Sequence, residues 1–138
     1  MKWRNYQFGE LEFDEQHVLI FPDGIIGFEQ CRRFILINDE DSQPFRWLVS
    51  LEDENLSFSL LDPRQFISDY DVSADQAELV TVLVVATLRE EIKDSSVNLR
   101  SPIIIVNETR IGKQNILENE AYDLHHPIFV SPNQLVKG

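Results

Sequence analysis

The sequence is poor in the residues from which disulfides, reactive thiols and metal sites are built. Its one cysteine, Cys31, has no partner for an intramolecular disulfide, which favours a reducing compartment. Beside Arg32 and Arg33, its thiol is either an activated nucleophile or, more commonly, a plain buried group. Of the three histidines, His125 and His126 are adjacent and point to opposite sides of an extended segment, so they cannot hold one metal together. We expect neither a metal nor a cofactor.

Glycine is scarce as well, with five residues in the chain. Gly24 and Gly27 are three residues apart, but the Lys-Ser/Thr pair of a nucleotide-binding loop does not follow them. The Pro-Asp-Gly order at residues 22–24 indicates a turn instead. Adjacent carboxylates such as Glu52 and Asp53 are common in an acidic chain and carry no specificity for acid–base catalysis. The sequence therefore predicts a protein that is not an enzyme.

Basic residues are few compared with acidic ones. The chain has 12 Lys and Arg against 24 Asp and Glu, which gives a formal net charge of −12. Such a surface repels phosphate backbones and anionic lipid headgroups, so direct binding to nucleic acid or to a membrane is disfavoured. A basic protein is the natural complement, because opposite fields speed the encounter of two proteins. The alternative is that the acidity only keeps the protein soluble.

Long apolar runs are absent too. Residues 1–12 contain no stretch of signal-peptide length. The longest apolar stretch, residues 79–88, is interrupted by Thr81 and Thr87 and is far shorter than a membrane-spanning helix. We expect a cytoplasmic protein.

Short runs of β-branched and aromatic residues, bounded by turn formers, are the main structural signal. They predict a mostly-β fold, a single antiparallel β-barrel or strongly coiled sheet with one or two short helices. The runs after residue 15 are 17–21, 34–37, 45–51, 57–60, 79–88, 97–99, 102–106 and 111–117. Before them, the alternating pattern changes phase at Gly9, where we expect a β-bulge.

Two helix starts interrupt the strands. Asp62 is the expected N-cap of one, with Pro63 at its first position, and Ser73 with Gln76 three residues later begins the other. Residues 1–127 are expected to form one domain, and residues 128–138 a tail that is mobile or laid on the surface.

Short motifs occur in a fixed order along the chain. Residues 21–29 contain F-x-x-G-I-x-G-F, and residues 44–53 contain P-F-x-x-L-x-S followed by an acidic pair. Residues 62–70 read D-P-x-x-F-x-x-x-Y, and residues 98–107 begin with N-L-x-x-P-I. Gly-Lys-Gln follows at residues 112–114, and after it come Tyr122 and the His-Pro pair at residues 126–127.

The ordered set, spanning residues 6 to 127, resembles the FliW family. Ser96 and Ser101 depart from it, standing where the family has Thr and Ala, and both exchanges are between small residues. The positions that carry the resemblance are Gly24, Gly27, Phe28, Phe45, Ser50, Pro63, Asn98, Leu99, Pro102, Gly112 and Gln114. Each also has a structural interpretation, since the glycines suit turns and Phe45 lies on an apolar strand face.

The resemblance implies a non-catalytic regulator with two alternative partners, flagellin and the translational repressor CsrA. When flagellin is scarce, such a protein captures CsrA and relieves repression of flagellin translation. CsrA is a small basic RNA-binding dimer, which an acidic surface would complement. Occlusion and allosteric antagonism both stay open, and we expect the free protein to be monomeric. Two other hypotheses are a small-ligand barrel, either carrier or enzyme, and a flagellin export chaperone that does not bind CsrA.

Candidate contact residues follow from charge and aromatic character. For CsrA we predict an acidic surface of Glu52, Asp53, Asp69, Asp71, Asp75 and Glu78. For flagellin we predict a more apolar surface, because aromatic side chains dominate binding energy at interfaces. Its candidates are Phe28, Phe66 and Tyr70.

Overall fold

Strands form almost all of the regular structure. The computed structural model describes residues 1–70 and 79–128, and within these ranges the helical elements are 3₁₀ turns only. The strands are β1 Lys2–Asn5, β2 Gly9–Glu12, β3 Leu19–Ile20, β4 Arg33–Asn38, β5 Arg46–Ser50, β6 Ser57–Leu61, β7 Val80–Thr87, β8 Ser96–Val97, β9 Ile103–Val106, β10 Ile111–Gln114 and β11 His126–Pro127. The 3₁₀ turns are Glu15–His17, Glu40–Ser42, Pro63–Gln65 and Ile92–Asp94. In the described part of the chain, no helix is long and apolar enough to cross a membrane.

Seven of the strands close into a barrel, so the predicted β-barrel is confirmed. Their order is β7-β6-β5-β4-β3-β10-β9, and β9 pairs back onto β7. Neighbours are antiparallel except β3 and β10, which run parallel where Ile20 faces Ile111. Strands β8 and β11 extend from β7 as a short branch, and β1 and β2 form a separate hairpin.

Apolar side chains fill the barrel and also cover two parts of its outside. The interior contains Phe21, Phe34, Leu48, Leu60, Leu83 and Ile103 among others. Outside, the β1–β2 hairpin packs Trp3 and Leu11 onto Val49 of β5. On the opposite side, Tyr70 and Tyr122 lie on the outer face of β7. Strand β7 is therefore covered on both of its faces, which explains why the run of residues 79–88 is apolar on both sides.

Two local features differ from the sequence-based expectation. At Gly9 the chain makes a hairpin turn and not a bulge, because the Asn5 Oδ1 accepts the N–H groups of Gln7 and Phe8 and Gly9 has a φ of +73°. At Asp62, the predicted cap is present and its carboxylate accepts the Arg64 N–H at 2.9 Å. The helix that it begins stops after one 3₁₀ turn. The second helix start and most of the tail, residues 129–138, lie outside the described residues.

Candidate partner-binding surfaces

The loop of residues 21–31 closes one end of the barrel, and the motif positions hold it there. Gly24 has a φ of +69°, and a Cβ at this position would lie 2.6 Å from the Glu29 Cα. The Gln114 Oε1 accepts the Ile26 N–H at 2.9 Å, while its Nε2 donates to the Ser101 carbonyl at 3.2 Å. One side chain of β10 thus ties the loop to the segment that precedes β9.

This loop presents two apolar side chains to solvent. Ile26 is 53% exposed and Phe28 is 36% exposed. The Phe28 ring packs edge-on against Phe58 with centroids 5.3 Å apart, which fixes its orientation. Nearby, the Gly27 N–H donates to the Glu29 carboxylate, and this bond lowers the pKa of Glu29. The fixed Phe28 ring and the neighbouring Glu29 carboxylate are together suited to contact a partner protein.

The acidic loop between β5 and β6 lies at the same end of the barrel. Ser50, fully buried, accepts the N–H groups of Glu52 and Asp53 with its Oγ, at 3.0 Å each. The Glu52 Oε1 in turn accepts the backbone N–H groups of Arg32 and Arg33, at 2.5 and 2.8 Å. The structure therefore brings Glu52 and Asp53 into the neighbourhood of the loop that carries Phe28.

Replacing Ser50 by alanine is expected to lower the free energy of unfolding by about 2 kcal/mol, because two N–H groups lose a buried acceptor. Ser57→Ala is the control, since the Ser57 Oγ bonds the Gln7 side chain at the surface and its loss is expected to cost well under half as much. Urea unfolding of both variants measures the difference, and equal losses would contradict the assigned role of Ser50.

The remaining predicted acids do not join this group. Asp69 is exposed on the segment that leaves β6 at its other end, after Leu61. Asp71, Asp75 and Glu78 lie outside the described residues. The structure thus separates Asp69 from Glu52 and Asp53 by the length of the β5–β6 hairpin.

Of the aromatic candidates, Tyr70 lies in the core. It is 6% exposed, stacks on Tyr122 at 4.7 Å, and donates its hydroxyl to the Leu99 carbonyl. Burial raises the pKa of Tyr70, and Tyr122 adds to that shift. Phe66 is half-buried against His126, with ring centroids 5.6 Å apart. Phe28 is therefore the most exposed of the three aromatic candidates.

Other motif positions build the scaffold. The Asn98 Oδ1 accepts the N–H groups of Arg100 and Ser101, which forms the turn before the buried Pro102. Leu99 is fully buried and supplies the carbonyl for Tyr70. Likewise, Phe45 is half-buried beside Trp47 and Pro63 is buried at the first position of its turn. These residues specify the fold more than a contact surface.

Groups with reactive potential lie apart from one another. Cys31 is 4% exposed in the barrel interior, which agrees with a plain buried thiol. In the parts of the chain that the structure describes, no three His, Cys, Asp or Glu side chains could hold a metal ion together.

Most surface carboxylates that the structure describes form no ion pair. Within the described ranges, ion pairs join Lys2 to Glu10 and Glu12, and Lys93 to Glu91. Within the same ranges, the carboxylates of Glu52, Asp53 and Asp69 form no ion pair. The negative field of the chain is thus available to a partner.

A cleft of about 500 Å³ beside the start of β7 was missed by the sequence analysis. Its walls include Asn38, Phe45, Arg46 and Asp62. Burial lowers the pKa of the Arg46 guanidinium, and the charge of Asp62 opposes that shift. The signal in the sequence is Arg46, a charged residue inside an otherwise apolar strand.

Comparison with known proteins agrees with this architecture. The model of the FliW protein family matches residues 2–128. The flagellar assembly factor FliW of Natranaerobius thermophilus is 35% identical over 100% of this chain and 99% of its own length. That of Thermosipho africanus is 36% identical over 90% and 93%, respectively. A crystal structure of the flagellar assembly factor FliW superposes with a TM-score of 0.84 at 30% identity, covering 94% of this chain and 97% of that one. This chain belongs to the FliW protein family.

Proposed function

We propose that the protein is a non-catalytic regulator of flagellar assembly in the cytoplasm, which binds flagellin and antagonises the translational repressor CsrA. The observation that carries the proposal is the family match over residues 2–128, which includes both loops at the closed end of the barrel. Capture of CsrA would free the flagellin message for translation. The function is exerted by binding alone.

Charge supports the assignment of CsrA as a partner. The chain has a net charge of −12, and most of its exposed carboxylates in residues 1–70 and 79–128 form no ion pair. A basic, RNA-binding partner meets a complementary field on such a surface, and its association is accelerated. Of the described acids, we assign Asp53 to this contact. Asp69, at the other end of the β5–β6 hairpin, is assigned to the long-range field that accelerates association.

The flagellin contact is assigned to the loop of residues 21–31. Ile26 and Phe28 are exposed there, and apolar and aromatic side chains of this kind supply most of the energy at protein interfaces. The Glu52 carboxylate ties this loop to the acidic one through Arg32 and Arg33. Partners that cover either loop therefore compete for one end of the barrel.

The small-ligand barrel is the weaker alternative, because the barrel interior is occupied by protein side chains. Phe21 and Phe34, both fully buried, pack edge-on at 5.3 Å in its centre. An interior filled in this way leaves a ligand no space.

A competition experiment tests the proposal. We expect purified flagellin to displace CsrA from a preformed complex with this protein, as followed by size-exclusion chromatography or calorimetry. Binding of flagellin without any binding of CsrA would point to an export chaperone instead. A ternary complex would contradict the shared surface, and failure to bind either protein would refute the proposed function.

Charge reversal locates the CsrA contact. We expect Asp53→Lys or Asp69→Lys to slow CsrA association several-fold at low salt and to reduce its salt dependence, because long-range attraction is weakened. Glu118→Lys, an equal charge change on the C-terminal segment, is the control. Glu52 is left intact because its carboxylate holds two backbone N–H groups. An unchanged salt dependence in both variants would remove the acidic surface from the mechanism.

A further inference from the structure

Strand β7 is paired at both of its ends on one side, but only toward its C-terminal end on the other. On one side, β9 pairs with Val80–Leu83 and β8 with Ala86 and Thr87. On the other side, β6 reaches only from Val84 to Ala86, because it ends at Leu61. The first four residues of β7 therefore have no neighbouring strand on the β6 side.

The backbone groups that face this gap can be identified from the hydrogen bonds around it. The Asn107 N–H donates to the Leu79 carbonyl and the Asn98 N–H to the Val85 carbonyl, so the odd-numbered residues of β7 point toward β9 and β8. Val80 and Val82 consequently point their N–H and C=O groups into the gap. No hydrogen bond joins these groups to another residue that the structure describes.

The gap is continuous with the cleft of about 500 Å³, which Val80 and Val82 line together with side chains of β4, β5 and the turn after β6. The Arg46 Nε donates to the Asn38 Oδ1 at 2.6 Å. Arg64 also lines the cleft, so its walls contain two guanidinium groups and the single carboxylate of Asp62. In a chain of net charge −12, this local excess of positive charge is unusual.

We propose that this notch binds an extended, acidic segment of a partner protein as an added β-strand beside β7. The main chain of the segment would bond to the free N–H and C=O groups of Val80 and Val82. A carboxylate on the same segment would meet the half-buried Arg46 guanidinium. Among the described residues no carboxylate lies within salt-bridge distance of this group, and Asp62 acts on it only through its charge. The proposal is independent of flagellin and CsrA, because it depends on the pairing of β7 and on the charges of the cleft.

Backbone geometry and charge together select this kind of partner. A strand edge recognises another peptide backbone at a spacing of about 4.8 Å, which a nucleic acid or a compact metabolite cannot reproduce. Two free residue positions, Val80 and Val82, match a segment of about four residues. Arg46 then favours an acidic side chain over a basic one.

The test uses two blocked pentapeptides, Thr-Val-Glu-Val-Thr and Thr-Val-Lys-Val-Thr, titrated into the ¹⁵N-labelled protein and followed by NMR. We expect the glutamate peptide to shift the amide signals of Val80 and Val82 and to slow their hydrogen exchange. The lysine peptide is expected to bind at least tenfold more weakly. Equal binding of the two peptides, or shifts confined to other residues, would overturn the proposal.

Three variants separate the contribution of the backbone hydrogen bonds to peptide binding from that of the Arg46 charge. Arg46→Gln should weaken the glutamate peptide about tenfold and leave the lysine peptide unchanged, whereas Arg4→Gln on the β1 hairpin should change neither. Val80→Pro removes one free donor without removing a bond to β9, so it should weaken both peptides while the remaining amide spectrum shows a folded barrel. Undiminished binding by Val80→Pro would refute strand addition.

Discussion

Replacing Gly112 by alanine is expected to lower the free energy of unfolding by about 3 kcal/mol, because the interior has no space for one more carbon. A Cβ at this position would lie 2.4 Å from the Phe21 Cζ, and Phe21 is fully buried and packed against Phe34. The ring cannot move away without displacing its neighbours. Urea unfolding followed by tryptophan fluorescence measures the loss.

The glycines of the first loop provide a control for this prediction. Gly27 has a φ of +90° but nothing within 4 Å of an added Cβ, so Gly27→Ala is expected to cost about 1 kcal/mol from backbone strain alone. In the double variant Gly112→Ala/Phe21→Leu, the ring is replaced by a smaller side chain and the clash is removed. Its loss of unfolding free energy should therefore be smaller than the sum of the losses in the two single variants. Additive losses, or equal losses for Gly112→Ala and Gly27→Ala, would show that contact with Phe21 is not the cause.

The second large effect is expected for Tyr70→Phe, which removes the hydroxyl that donates to the Leu99 carbonyl. A buried carbonyl is then left without its partner, so the free energy of unfolding should fall by about 2 kcal/mol at pH 8. Tyr6→Phe is the matched control, since Tyr6 is 86% exposed and its hydroxyl contributes nothing to the core.

The loss should depend on pH in a defined direction. An unfolded tyrosine ionises near pH 10, while burial raises the pKa of Tyr70 in the folded protein. The stabilisation linked to this group is therefore complete below about pH 10 and is lost as the pH rises through the folded-state pKa. The difference between the wild-type protein and Tyr70→Phe should narrow between pH 8 and pH 11, and a constant difference would contradict burial of the phenol.

Sequence periodicity was sufficient to predict the positions of most barrel strands and the class of the fold. Alternation in β5 and the double-faced apolar pattern of β7 correspond to the observed packing on both sides of the barrel wall. Which strands meet was not predictable, because the pairing of β3 with β10 and of β7 with β9 depends on distant residues. The hairpin that covers the outside of β5 was predicted only in part, since the alternation around Gly9 indicated strand structure but also a bulge in place of the turn between β1 and β2.

The candidate surfaces were predicted less well, and for physical reasons. The spacing of Phe66 and Tyr70 indicated an apolar side, but local spacing does not distinguish a side chain that packs inward from one that contacts a partner. The hydrogen bonds from Arg32 and Arg33 to Glu52 join residues about 20 positions apart, and the loops were therefore not recognised as neighbours. Motif glycines and Ser50 identified the family because they are required by backbone geometry.

Closure of the barrel also constrains how the protein is made. The pairing of Ile20 with Ile111, and the bond from the Ile26 N–H to the Gln114 Oε1 across 88 residues, join the first loop to the last barrel strand. Such non-local pairing slows folding, because a long loop must be ordered before its contacts form. A ribosome must release almost the entire domain before Gln114 can hold the loop of Phe28 in its final position. We therefore expect the nascent chain to acquire the proposed partner-binding surface only when synthesis is nearly complete.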